Sequence, residues 1–251
     1  MKFGKRLKQQ IEDTLPNWRD KFLSYKNLKK LVRRISDNVD VNANAEFVYL
    51  LNSEIDKFNS FFVEQEEDLV IRHRELRQRI ERVLESWSPH GNEREHHREE
   101  IREIREDIVN LHGEMVLLVN YSNVNYTGLG KILKKYDKRT GGLLRLPFIQ
   151  NILQQPFYKT DSLSKMIKDC ESSIDAIFPT PKQEVSHENK PNISVSVGGE
   201  GIFRNTVSAL LSMEQIRRGS STYSHFSLPP LNLPDSDLIH SFQLNSPIPI
   251  L

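Results

Sequence analysis

The stretch IREIREDIVNLHGEMVLLVN, residues 101–120, decides the fold. Ile101, Ile104, Ile108, Leu111, Met115 and Leu118 fall at alternating steps of three and four, which is the spacing of a heptad seam. Upstream, Val48, Leu51, Ile55, Phe58, Phe62, Leu69 and Leu76 keep the same steps, with polar residues at Gln65 and Arg72. SPHGNE, residues 88–93, lies between the two seams and reads as a turn. Two apolar seams joined by a short connection predict an antiparallel helical hairpin. Each helix exceeds about 35 residues, a length typical of a three-helix bundle or coiled coil. The seams themselves are core packing. The fold class is all-α.

Working toward the amino terminus, Phe3, Leu7 and Ile11 recur every four residues and predict a short amphipathic helix. Pro16 breaks it. Asn17 can accept from first-turn amides and Asp20 favours a positive helix start, so a second helix is expected from here. Trp18, Phe22, Tyr25, Leu28, Val32 and Ile35 mark its buried side, and it ends around 37–44.

Toward the carboxyl terminus, Ser122, Asn123, Asn125, Gly128 and Gly130 challenge helix continuity, because glycine costs about 1 kcal/mol in a helix interior. A bend is expected there. Helical period resumes in GLGKILKKYDKRTGG and stops at Gly141–Gly142. Two short helices follow, at about 147–154 and 161–177, before Pro179 and Pro181. The chain therefore divides into a helical domain, 1–177, and a tail, 178–251. The tail is polar and later proline-rich, a composition of disorder. Its exception is 202–218, where Ile202, Phe203, Val207, Leu210, Leu211 and Met213 line one face of a helix suited to docking on a partner.

Charge is unevenly spread. The formal net is +1, yet residues 1–34 carry a net of +8, residues 37–114 a net of −10, and residues 115–146 a net of +5. Basic segments that fold together focus a field that attracts anions. The single cysteine, Cys170, forms no internal disulfide and suits a reducing compartment. The opening MKFGKRLKQQ is not a signal peptide, and the apolar run Met115 to Val119 is far too short to span a bilayer. The sequons at Asn125 and Asn192 are then inert, and a soluble intracellular protein, with no membrane partner, is expected.

Lys131, Lys134, Lys135 and Lys138 stand at i, i+3, i+4 and i+7, on one helical face. Leu129, Ile132, Leu133 and Tyr136 repeat that spacing on an adjacent stripe, which anchors the helix. Like charges so placed repel by a few tenths of a kcal/mol per pair, and Asp137 relieves little of it. A ligand rich in phosphate would offset this cost. A solvated lysine face is the commonest fate of such stripes, and spacing alone does not separate the two readings. At the amino terminus, Lys2, Lys5, Arg6 and Lys8 surround the first helix. Tyr25 and Lys29 sit at i and i+4 on the second, beside Lys26 and Lys30. A phenol next to an ammonium donates to a phosphate oxygen while the lysine supplies charge.

These two segments carry a resemblance. MKFGKRLKQQIEDTLPNWRDKFLSYKNLKKLV resembles the opening of an SPX domain, and NYTGLGKILKKYDKRTGG resembles its signature near the domain's end. The likeness covers about residues 1–177. It implies a helical hairpin packed on a three-helix bundle, and binding of inositol polyphosphates, especially inositol pyrophosphates, on a basic surface. Carried over, the phosphate-binding cluster corresponds to Tyr25, Lys29 and Lys134, the adjoining surface to Lys131, Lys135 and Lys138, and the amino-terminal lysine to Lys2. The architecture resembles the stand-alone plant members of the family, and the tail FRNTVSALLSMEQIRRGSSTYS is similar to theirs. Their implied role is to bind MYB coiled-coil transcription factors of the phosphate-starvation response when inositol pyrophosphate is abundant, in nucleus or cytoplasm.

Other classes fit less well. Gly198, Gly199 and Gly201 lack the Gly-Lys-Ser/Thr of a P-loop. His96 and His97 have no cysteine and no third ligand near them, so a solvated face is the better reading and no metal is expected. No carboxylate pair stands isolated, so no catalytic residue is assigned. Two alternatives stay open: a nucleic-acid-binding helical protein, opposed by the near-zero net charge and the acidic centre, and a plain coiled-coil scaffold. The long seams also leave open a homodimer made by helix exchange. Arg217, Arg218 and Gly219 ahead of Ser220 and Ser221 suit a basophilic kinase.

Overall fold

The computed structural model describes residues 3–36, 42–85 and 94–177, together with 205–207, 209 and 211. Among the described residues of 3–177, six α-helices run in order: α1 (Phe3–Thr14), α2 (Tyr25–Ser36), α3 (Ala43–Glu85), α4 (Arg94–Thr140), α5 (Arg145–Ile152) and α6 (Asp161–Ile177). Short 3-10 turns occupy Pro16–Lys21 and Pro156–Tyr158. Among the described residues there is no strand, and no helix is long and apolar enough to cross a membrane.

Both seams pack as expected. Phe47, Leu51, Phe58 and Phe62 of α3 are fully buried with Ile108, Met115 and Leu118 of α4. Arg72, the polar break in the α3 seam, is answered from across the pair. Its guanidinium binds both oxygens of Glu114, one at 2.9 Å, and that hydrogen bond holds its pKa above the ordinary range. Farther out, Arg79 bridges Glu103 at 2.6 Å and Asp107 at 2.9 Å. Part of the acidic charge on α4 is thus matched by α3 arginines. The bundle is completed by α6, which contacts both long helices and buries Leu163, Met166, Ile167 and Cys170. Burial pushes the Cys170 thiol up to about 12.

Three expectations need correcting. The second helix does not begin at Asn17. Pro16 lacks an N–H and fixes its φ, and the chain turns tightly as a 3-10 segment with no side-chain cap. Phe22 is then extended, and α2 starts at Tyr25. Nor do the glycines and asparagines of 120–130 interrupt the helix: α4 is continuous through both glycines to Thr140, so the 129–138 segment belongs to a long bundle helix. Its end falls where Gly141 takes φ +70°, the left-handed cap glycine supplies without strain, with Gly141 N–H donating to the Asp137 carbonyl at 2.9 Å. In the tail, residues 205–207, 209 and 211 are helical, but the buried side differs from the expected face. Thr206 and Ala209 are buried, whereas Leu211 is 47% exposed. The turn at 88–93, the disorder expected of the tail, the glycine run at 198–201 and the serines at 220–221 lie outside the described residues.

Candidate functional site

The loop Phe22–Ser24 sets the geometry of the site, because it fixes where α2 begins. Four groups hold it. Lys57 Nζ donates to the Phe22 carbonyl at 2.9 Å, and buried Glu54 accepts from Ser24 N–H at 2.9 Å. Lys57 and Glu54 pair with each other at 2.8 Å, which satisfies a carboxylate that would be costly to bury alone. From α4, Asn125 Oδ1 accepts from Leu23 N–H at 2.9 Å, and the Tyr121 hydroxyl donates to the Lys21 carbonyl at 3.1 Å. Tyr121 also sits amid Trp18, Phe22, Phe58 and Phe61, and its burial raises its pKa strongly. Gly128 completes the seat. A Cβ there would come 2.6 Å from Leu23 Cδ2, so the helix lacks a side chain where the loop crosses it.

With α2 so placed, Tyr25 and Lys29 face a cleft of about 490 Å³ between α1 and the start of α2. Lys5 and Lys8 line its other wall, with Lys26 beside Tyr25. Glu12 is also there, but Arg19 pairs with it at 2.6 Å. The Tyr25 ring meets Phe3 edge-on at 5.0 Å and lies 3.2 Å from where a Gly4 side chain would begin. Burial raises the Tyr25 pKa, so its hydroxyl remains a donor at neutral pH.

On α4, Leu129, Ile132, Leu133 and Tyr136 are buried. Tyr136 stacks on Phe47 at 4.8 Å and its hydroxyl donates to Asn44 Oδ1. Lys131, Lys134 and Lys138 on the other face are exposed and Lys135 is half-buried. Lys135 shows how the two helices meet. Its pKa is lowered by burial first, then by the positive charges of Arg139, Lys29, Arg33 and Lys138. Lys29 is therefore common to the cleft and to the α4 face. Asp137, the acid within the stripe, is engaged elsewhere: its carboxylate accepts from Leu144 N–H at 3.0 Å and Arg145 N–H at 3.3 Å, capping α5.

The sequence-derived residues thus gather from two helices far apart in the chain. Tyr25 and Lys29 come from α2; Lys131, Lys134, Lys135 and Lys138 come from α4. Lys2 lies outside the described residues. Two basic residues were missed, Arg33 and Arg139. Spacing could have found both: Arg33 is four residues beyond Lys29, and Arg139 four beyond Lys135. The described residues include no group of three or more His, Cys, Asp or Glu able to hold a metal ion.

The geometry is a polyanion-sized basic surface on an all-α hairpin-and-bundle fold, and comparison with known proteins gives the class. The SPX domain family model matches residues 1–42 and 84–152. A solved structure of the SPX domain of Chaetomium thermophilum glycerophosphodiester phosphodiesterase 1, in complex with inositol hexakisphosphate, shares the fold. It matches with a TM-score of 0.59 at 24% identity, covering 70% of this chain and 99% of that one. Along the full chain the likeness is to plant proteins. SPX domain-containing protein 3 of Arabidopsis thaliana is 58% identical over 100% of both chains. SPX domain-containing protein 5 of Oryza sativa subsp. indica is 55% identical over 97% of this chain and 94% of its own. The chain belongs to the SPX domain-containing proteins.

Proposed function

We propose that this protein senses phosphate status by binding inositol polyphosphates, pyrophosphates among them, on the surface made by Tyr25, Lys29, Lys131, Lys134, Lys135 and Lys138, with Lys2, Arg33 and Arg139 at its margins. The observation that carries the reading is the crowding of like charge at Lys135. Helices α2 and α4 bring Lys29, Arg33, Lys138 and Arg139 to bear on one half-buried ammonium. Such an arrangement costs stability in the free protein, and a ligand with many phosphates adds an attraction to each of those cations that outweighs their mutual repulsion. The Tyr25 hydroxyl supplies a neutral donor beside the charge. The solved SPX domain bound to inositol hexakisphosphate supports the ligand class. The role is regulatory, with no catalytic residue, cofactor or metal.

In its liganded form, we infer, the protein binds a MYB coiled-coil transcription factor and keeps it from DNA, in the nucleus and cytoplasm. Support comes from the full-length likeness to plant SPX domain-containing proteins. The ligand bridges α2 and α4, so a partner touching both helices would favour the liganded state, and by linkage the ligand would favour the partner.

Calorimetry tests the site. Tyr25→Phe with Lys29→Ala and Lys134→Ala removes three donors, of which charged ones contribute roughly 1.5–3 kcal/mol each. A loss of at least about a hundredfold in affinity for inositol hexakisphosphate is expected, with the helical circular dichroism unchanged. Unchanged affinity would remove the site assignment. Tight, saturable binding of duplex DNA at physiological salt without the small ligand would favour the nucleic-acid reading. A pull-down of the transcription factor, with and without inositol pyrophosphate, tests the partner.

A further inference from the structure

Residues 115–126 of α4 are buried without a break, a condition a helix reaches only with neighbours on every side. Most directions have a named neighbour. Glu114 and Tyr121 face α3, through Arg72 and Phe61. Asn125 and Gly128 face the Phe22–Ser24 loop. Ser122 and Tyr126 face the turn at Pro156–Tyr158, and His112 lies 3.3 Å from Glu171 of α6.

The row Val109, Val116, Asn123 and Gly130, at steps of seven, looks away from α3. Its two ends are open: Val109 is 39% exposed, and a side chain at Gly130 would meet nothing within 4 Å. Its middle is closed. Val116 is 3% exposed, Asn123 9%, and their neighbour Asn120 0%. A cover confined to the middle of one row is the footprint of a short segment lying across it.

The tail supplies a segment of that kind. Thr206 and Ala209 are buried at 9% and 0%, so this stretch packs against other parts of the protein. Residues 205–207, 209 and 211 are helical. Small residues at i and i+3 let two helix axes approach closely. A threonine on the contact side suits a patch that mixes Val116 with the amides of Asn120 and Asn123. Leu211 falls outside the contact.

We propose that the helical stretch carrying Thr206 and Ala209 is an intramolecular clamp, seated on α4 over Val116, Asn120 and Asn123. This goes beyond the anion-binding reading and does not depend on which ligand the basic surface takes. The seat lies about two turns before Lys131 on the same helix. A partner that displaces the clamp would uncover an apolar and amide strip next to the basic surface.

Hydrogen exchange on the full-length protein tests the seat. Amides at 205–211 should exchange at least about tenfold more slowly than in an unfolded chain. Ala209→Arg should abolish that protection and speed exchange at 116–123, while leaving 51–58 in α3 unchanged. Leu211→Arg should change neither. Unprotected 205–211 amides in the unaltered chain would overturn the proposal, as would an Ala209→Arg effect confined to the tail. Should Ala209→Arg unfold the bundle, a second measurement decides. Val116→Cys with Ala209→Cys, brought together when the clamp is seated, should form a disulfide within one chain under mild oxidation. No link overturns the clamp.

Discussion

Two stretches of α4 break the usual habits of helices in opposite ways. The middle, residues 120–125, places Asn120, Ser122, Asn123 and Asn125 inside the protein. The last turns, 131–139, place five cations on the outside, close enough to disturb one another. Two of the polar groups in the middle are consumed by the fold: Asn125 holds Leu23, and Ser122 donates to the Phe157 carbonyl. Among the described residues the cations at the end make no such bond within the fold, and Asp137 beside them is committed to α5. Unusual residues that the fold uses up are structural. Unusual residues left over mark where a ligand belongs.

Four substitutions sharpen that contrast. The largest effect is expected at Asn125→Leu, which leaves the buried Leu23 N–H without its acceptor. A loss of about 1–3 kcal/mol in urea unfolding is expected, together with weaker anion binding, because α2 is no longer fixed. Next come the glycines. Gly130→Ala meets open space and should gain about 0.5–1 kcal/mol from helix propensity. Gly128→Ala drives its methyl into buried Leu23 and should forfeit that gain. Equal gains at both positions would deny the close approach of loop and helix. The smallest effect is Lys135→Gln. Relief of like-charge repulsion should raise stability by a few tenths of a kcal/mol at pH 7 while weakening inositol hexakisphosphate binding. The pH dependence follows in sign. The Lys135 pKa is lowered in the fold, so its charged form destabilises the protein below that pKa. Stability recovers as pH rises from the lowered value toward 10.5. Lys135→Gln should remove this alkaline recovery, read as thermal unfolding against pH.

Much of the fold was legible in the sequence because heptad steps report directly on burial. Phe58, Phe62, Ile108 and Met115 were placed in the core by period alone, and Gly141 marked the end of α4 by its chemistry. Less legible were features decided by distant residues. Asn17 has the chemistry of a cap, but Glu54 and Asn125 hold the loop before α2, and no local rule names them. The glycines and asparagines of 120–130 signal a bend only if they are solvated; packed, they are a docking seat. At the site, the four-lysine stripe follows from spacing. That Lys29 and Arg33 press on Lys135 does not, since it depends on how the hairpin crosses α4.

The hydrogen bond from Leu23 to Asn125 spans 102 residues of chain. During synthesis, at about 5–20 residues per second, the amino-terminal hairpin leaves the ribosome well before its seat exists. For that interval Phe22 and Leu23, buried in the finished protein, have no helix to cover them. The basic surface is equally incomplete until Lys138 has emerged. A chain truncated or stalled before the end of α4 therefore carries half a receptor and an exposed apolar loop, so the later-made α4 serves as a completeness check on the amino-terminal hairpin.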